Sequence, residues 1–275
     1  MAEVTRAAAV SSRARSLPVW RWVILTVAGA YFLIPLAAAL HFTGISAFGH
    51  VVNQPGFSGA VTLSLKLALV TTVLSLILMV PTAVYVHLRL PRARRLLEGI
   101  TILPIVIPPV VLILGVLQVA PVSLKSSPYL LALEYVILSM PFSYRALDAG
   151  LRALDLKTLT EAAGSLGAGW TGTLWRVILP NLRTAMLSAV VLTVALVLGE
   201  YTMATLDSYE TFPVWMVQNE QASAQVSVAA SLFALFVTWL FLMLITVIGT
   251  RQARKTGGEV TLLSVGARQQ TQGPE

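Results

Sequence analysis

Six apolar runs, each long enough to cross the hydrocarbon core of a bilayer, fix what this chain can fold into. A helix needs roughly 20 mostly apolar residues for that crossing. Such runs lie at about 20–41, 59–87, 97–119, 129–146, 183–205 and 228–250. Leu88-Arg89-Leu90-Pro91 stops the second, and Gln252-Ala253-Arg254-Lys255 follows the sixth. Only 11% of the 275 residues are charged and 56% are hydrophobic, whereas a soluble domain carries about 25% charged residues. The expected fold is therefore all-α, a polytopic membrane protein with six transmembrane helices.

Charge sets the orientation. Of the 19 basic residues, 17 fall on alternate segments. These are Arg6, Arg13, Arg15 and Arg21 before the first run, and Arg89, Arg92, Arg94 and Arg95 after the second. Arg145, Arg152, Lys157, Arg176 and Arg183 flank or occupy the loop after the fourth, and Arg251, Arg254, Lys255 and Arg268 follow the sixth. Basic loops stay on the cytoplasmic side, which predicts both termini there. The organisation expected is a cytoplasmic N-terminal segment (1–19), a membrane domain (20–251) with a loop at about 146–182, and a polar, disordered tail (252–275). The first run also fits a cleaved signal sequence with Ala37-Ala38-Ala39 near the cut. Signal cores are usually only about 7–15 apolar residues, which favours the span.

Several chemistries are excluded or weakened. Cys is absent, so there is no thiolate metal site or cysteine nucleophile. His41, His50 and His87 are far apart and form no ligand spacing. The net charge of +7 is dispersed among short loops, which argues against a nucleic-acid partner. No His-Glu-x-x-His or Gly-x-Ser-x-Gly occurs. A phosphate-binding Walker loop needs glycine before its lysine, and Lys66, Lys125, Lys157 and Lys255 all lack one. The chain carries no catalytic, cofactor or metal residues that the sequence reveals.

Two segments stand out. The third run contains Leu103-Pro104-Ile105-Val106-Ile107-Pro108-Pro109. Proline removes a helix donor and clashes with the preceding turn, and the freed carbonyls need protein or water partners inside a membrane. This predicts a broken helix beside a translocation path, with Pro108 and Pro109 as candidate lining residues. The other segment is the loop after the fourth run. Asp155 is a helix cap candidate, and Thr158 with Glu161 offers a competing capping box. Gly167 and Gly169 can end that helix through positive φ. A second helix fits Thr171 to Val177, and Pro180 interrupts it. From periodicity alone the pair reads equally as an amphipathic element on the membrane surface.

The pattern Glu161-Ala162-Ala163, then Gly167, then Val177, Leu179 and Pro180 resembles the cytoplasmic motif of ABC importer permeases of the binding-protein-dependent type I family. Val177 departs from the usual isoleucine. The resemblance covers about Gly59 to Arg251 and implies a bacterial plasma (inner) membrane location. It implies an ATPase-coupling role for Glu161, Ala162, Ala163, Gly167, Leu179 and Pro180. It also implies a cytosolic ABC ATPase dimer that holds the ATP and Mg, a second permease subunit (identical or paralogous) and an extracytoplasmic solute-binding protein. Gly199-Glu200-Tyr201 and Thr211-Phe212-Pro213-Val214-Trp215 resemble polyamine-type (spermidine/putrescine) members most; ferric iron, thiamine and oxyanions are the alternatives. Charges near the outer ends of spans, Glu200, Lys66 and Glu134, are translocation-path candidates, with Glu200 and Lys66 as a possible gate pair; snorkelling to headgroups accounts for them equally. A stand-alone ion-coupled carrier would keep ionisable residues near mid-membrane, and an intramembrane enzyme would need a reactive cluster there. Neither pattern is present.

Overall fold

The computed structural model describes residues 19–220 and 223–270. Residues 1–18 of the expected N-terminal segment and the last five residues lie outside them, and side chains beyond Val247 are not described. Every regular element among the described residues is helical. In chain order they are α1 (Val19–Val52), α2 (Phe57–Arg89), α3 (Arg94–Val106), α4 (Pro109–Val119), α5 (Val122–Lys125) and α6 (Pro128–Arg152). Then come α7 (Leu156–Ser165), α8 (Trp170–Asn181), α9 (Arg183–Gly199), α10 (Thr202–Leu206), α11 (Phe212–Glu220) and α12 (Ala224–Gln270).

Four helices are long and apolar enough to cross a membrane singly, and up to six crossings result if each of two bent pairs counts as one. The third apolar run is broken, as the prolines require. α3, preceded by a single turn at Pro91–Ala93, meets α4 at 102°, with Ile107 extended and Pro108 opening the second half. The fifth run ends earlier than the expected residue 205: α9 stops at Gly199, and Glu200 is extended at φ −81, ψ 124. An acid at that position offers its carboxylate to the next helical turn, which competes with continuing the apolar helix. α1 runs beyond the expected 41 and bends at Gly44. The backbone of α12 continues through Gln270, so no end of helix marks the boundary expected at 252.

The packed centre is α2, α6 and α9, which contact one another extensively. Small hydroxyl side chains allow these helices to approach closely and supply interhelical hydrogen bonds. Thr71 Oγ1 donates to the Ala132 carbonyl at 3.2 Å, Ser75 and Ser139 pair at 2.9 Å, and Ser143 and Thr193 pair at 2.9 Å. α1 and α12 pair at the periphery. Their outer faces, including Leu25, Val27, Phe32, Leu235, Phe236 and Leu244, are exposed. Apolar faces of that extent are hidden by lipid or partner subunits and not by water.

Candidate functional site

The motif segment folds as a helix, a glycine turn and a bent helix. Asp155 is the N-cap of α7: its carboxylate accepts from the Thr158 backbone N–H at 3.2 Å and from Thr158 Oγ1 at 2.7 Å. The capping-box alternative is therefore not used. Those hydrogen bonds from Thr158 hold the Asp155 carboxyl below its ordinary range. Gly167 at φ +79 reverses the chain after α7, a conformation an L side chain strains to adopt. The Gly167 N–H reaches the Gly164 carbonyl and the Ala168 N–H reaches Ala163, closing the helix end. Gly169 is extended and opens α8 rather than ending α7.

Pro180 does not stop α8 where the sequence reading placed the break. The helix absorbs the ring by widening into a π turn at Leu174–Ile178, where the Leu179 N–H reaches back five residues to the Leu174 carbonyl. Widening relieves the clash a proline makes with the carbonyl four residues earlier. The 72° bend follows at Leu182, before α9.

This arrangement sorts the motif residues by exposure. Ala163 is buried and keys α7 to the rest of the chain. Glu161, Ala162, Ser165 and Gly167 are exposed, and Leu166 is 88% exposed at the turn. Leu179 and Pro180 are half-buried, Leu179 against the cluster formed by Leu147, Leu151, Leu156, Ile178 and Leu182. An open groove of about 540 Å³ runs between the end of α2 and this unit, lined by His87, Arg89, Lys157, Glu161 and Trp170 among others. Lys157 and Glu161, one turn apart and both exposed, are 3.9 Å apart, a pair of little energetic consequence in water.

At the opposite end of α6 the path candidates separate. Glu200 accepts from the Met203 N–H at 2.9 Å, from the Ala204 N–H at 3.3 Å and from the Tyr135 hydroxyl at 3.1 Å. It caps α10 and forms no ion pair with Lys66 among the described residues. Lys66 is exposed on α2. Glu134 is fully buried, and none of its carboxylate oxygens or those of Asp207 has a donor. The two carboxyl groups nevertheless lie within hydrogen-bonding reach of each other. Pro108 is exposed and Pro109 half-buried at the break. No group of three His, Cys, Asp or Glu among the described residues is arranged to hold a metal.

Sequence reasoning missed Asp148. It is buried near the end of α6 and meets three basic side chains. Arg94 contributes Nε at 2.9 Å and Nη2 at 3.4 Å, Arg152 contributes Nε at 2.7 Å, and His87 Nε2 lies 3.0 Å away. The His87 ring is held by Nδ1 against the Ala83 carbonyl at 2.8 Å, and its Nε2 meets the carboxylate without hydrogen-bond geometry, so the arginines carry the pairing. The signal available was an acid four residues before an arginine at the end of an apolar run.

Comparison with known proteins places this architecture. A molybdenum transport system permease protein of Mycobacterium tuberculosis is 30% identical over 244 residues, covering 81% of this chain and 92% of that protein. A probable molybdenum ABC transporter permease of Haloferax volcanii is 29% identical over 215 residues, 73% of this chain and 80% of that protein. A sulfate transport system permease of Synechococcus elongatus matches at 31% over 133 residues, 46% of each chain. These relatives give no support to the polyamine leaning. The fold matches a crystallised bacterial ABC transporter involved in alginate import, with TM-score 0.66 and 16% identity over 86% of this chain and 96% of that one. A family model described as "Binding-protein-dependent transport system inner membrane component" matches residues 80–258. The chain belongs to that family, as a multi-pass inner-membrane permease subunit of an ABC importer.

Proposed function

We propose that this chain forms part of the translocation path of an ATP-driven oxyanion importer, with molybdate as the first candidate cargo. The observation that carries the coupling role is the Asp155-capped helix and Gly167 turn, which project Glu161, Ala162 and Leu166 away from the bundle while Ala163 anchors them. A protruding, internally keyed helix suits a cleft on a cytosolic ATPase, which would hold the ATP and Mg. Two such permeases, identical or paralogous, would enclose the path, with this loop on the cytoplasmic side. ATPase closure would push both loops and switch the shared cavity from inward-facing to outward-facing. Solute would enter from an extracytoplasmic binding protein. A second structural relative, an alginate transporter with TM-score 0.63 at 15% identity, is in complex with a periplasmic protein bound to an alginate pentasaccharide, which supports a partner of that kind.

The oxyanion reading rests on the molybdenum permease relative that spans 81% of the chain. It replaces a polyamine by the alternative that the sequence had left open beside ferric iron and thiamine. The test is ATP hydrolysis and uptake by the reconstituted complex with its binding protein. Molybdate, sulfate, ferric iron, thiamine and spermidine are presented in turn. Stimulation by molybdate or sulfate is expected. Stimulation by spermidine with no response to either oxyanion would reverse the assignment.

A further inference from the structure

The coupling segment is covalently continuous with two helices, α6 through residues 153–155 and α9 through Leu182. It does not touch α3 in this way, yet α3 is half of the broken span. Its only fully buried residues are Thr101 and Pro104. A specific polar tie from α3 to the rest of the bundle at this end is Arg94 to Asp148 on α6. The fork is two-pronged, Nε to Oδ1 and Nη2 to Oδ2, which fixes orientation as well as distance.

α6 is gripped on its other side. Gly150, two residues beyond Asp148, lies so close to α9 that a Cβ there would collide with the Cβ of Ala185 and press on Leu182. Leu147 and Leu151 join Leu156, Ile178 and Leu182 in one apolar cluster with Met79, Val80 and Val84 of α2. The end of α6 therefore moves with the coupling segment and α9. Packed cores transmit displacement because they have low compressibility.

We infer that Asp148 is a positioning residue that carries movement of the coupling segment into α3, and so to the break at Ile107-Pro108. Asp148 receives the motion through α6 and passes it to α3 through Arg94. Arg152, one turn further along α6, balances the carboxylate, while His87 at the end of α2 lies against it and lines the groove beside the coupling helix. This rests on the proposed coupling role of the loop.

The test uses the complete reconstituted complex, with uptake and ATP hydrolysis read in the same vesicles. In Asp148→Asn, uptake per ATP is expected to fall about tenfold, the size of one charge-assisted hydrogen bond, while the assembled complex still hydrolyses ATP. Because the chain has no Cys, Ile107→Cys reports movement at the break through its thiol-labelling rate. Trapping the nucleotide should change that rate in the otherwise unaltered chain and leave it unchanged when Asp148→Asn is added. An unaltered uptake per ATP, or a labelling change that survives, would overturn the inference. If Asp148→Asn does not assemble, Arg94→Lys decides, since it keeps the charge and loses the fork: full coupling there also overturns it. Glu161→Lys, run alongside, tests the loop itself. If its uptake and hydrolysis are both normal, the coupling assignment fails whatever Asp148 does.

Discussion

Asp148 and Glu134 lie on the same helix, about 21 Å apart along α6 at 1.5 Å per residue, and both are buried. Around Asp148 the chain gathers Arg94, Arg152 and His87 from three helices. Around Glu134 it gathers Asp207, Glu200 and Tyr135, three groups that carry negative charge or none. Leu131, Tyr135, Met203 and Ala204 close the apolar surroundings at that end. Two carboxylates cannot donate to each other, so a hydrogen bond between Glu134 and Asp207 requires a proton on one of them. One end of the helix thus surrounds its acid with basic side chains, whereas the other sets acid against acid.

The same chemical change at the two ends should therefore have opposite signs. Asp148→Asn leaves Arg94 and Arg152 without their anion and is expected to cost about 1–3 kcal/mol, the range for a lost charged hydrogen bond. Glu134→Gln supplies an amide donor to Asp207 and removes a buried charge. It is expected to stabilise by about 0.5–1.5 kcal/mol, the net worth of one hydrogen bond. Thermal unfolding of the purified complex in one detergent checks both. A loss of stability in Glu134→Gln comparable to that in Asp148→Asn would break the contrast.

Glu200 sharpens it from within the acidic end. This carboxylate has donors where Glu134 has none, two backbone N–H groups and the Tyr135 hydroxyl. Glu200→Ala should cost about 1–2 kcal/mol, as for a lost N-cap, and should raise hydrogen exchange across residues 202–206 specifically. If uptake failed with exchange there unchanged, Glu200 would be a path residue rather than a cap.

The contrast also marks where the sequence was readable. The break at Ile107-Pro108 was legible because proline acts on its own turn, and the Asp155 cap and Gly167 turn are equally local. The apolar runs were legible by length and composition alone, four of them as single helices and two as bent pairs. Asp148 and its partner Arg94 are 54 residues apart, and the approach of Glu134 to Asp207 joins different elements; no local spacing encodes either. The end of α9 was misplaced because an apolar run does not show that Glu200 will cap the next turn. The polyamine leaning had a similar origin. It rested on Gly199-Glu200-Tyr201 and Thr211 to Trp215, whose visible tasks are architectural. The Phe212 N–H donates to Ser64 Oγ at 2.8 Å and Trp215 Nε1 donates to the Pro55 carbonyl at 2.9 Å, fastening this segment to the start of α2. Residues that fasten a loop say little about cargo.

The smallest effect belongs to the one acid of the set that is exposed to water. The Asp155 carboxylate holds the first turn of α7 chiefly through Thr158, and solvent satisfies those groups when the cap is lost. Asp155→Ala should fray residues 156–159 and leave the bundle's melting temperature almost unchanged. Because the hydrogen bonds lower the Asp155 carboxyl in the folded chain, the cap is fully present above the ordinary aspartate range. It is lost as pH falls through the lowered value. Hydrogen exchange of α7 measured down that range should therefore rise in the native chain toward the rate of Asp155→Ala. Exchange insensitive to both the substitution and acid would mean that Ala163 and Leu156, buried against the bundle, hold α7 without its cap. α7 would then be fixed by packing and not by its own terminus.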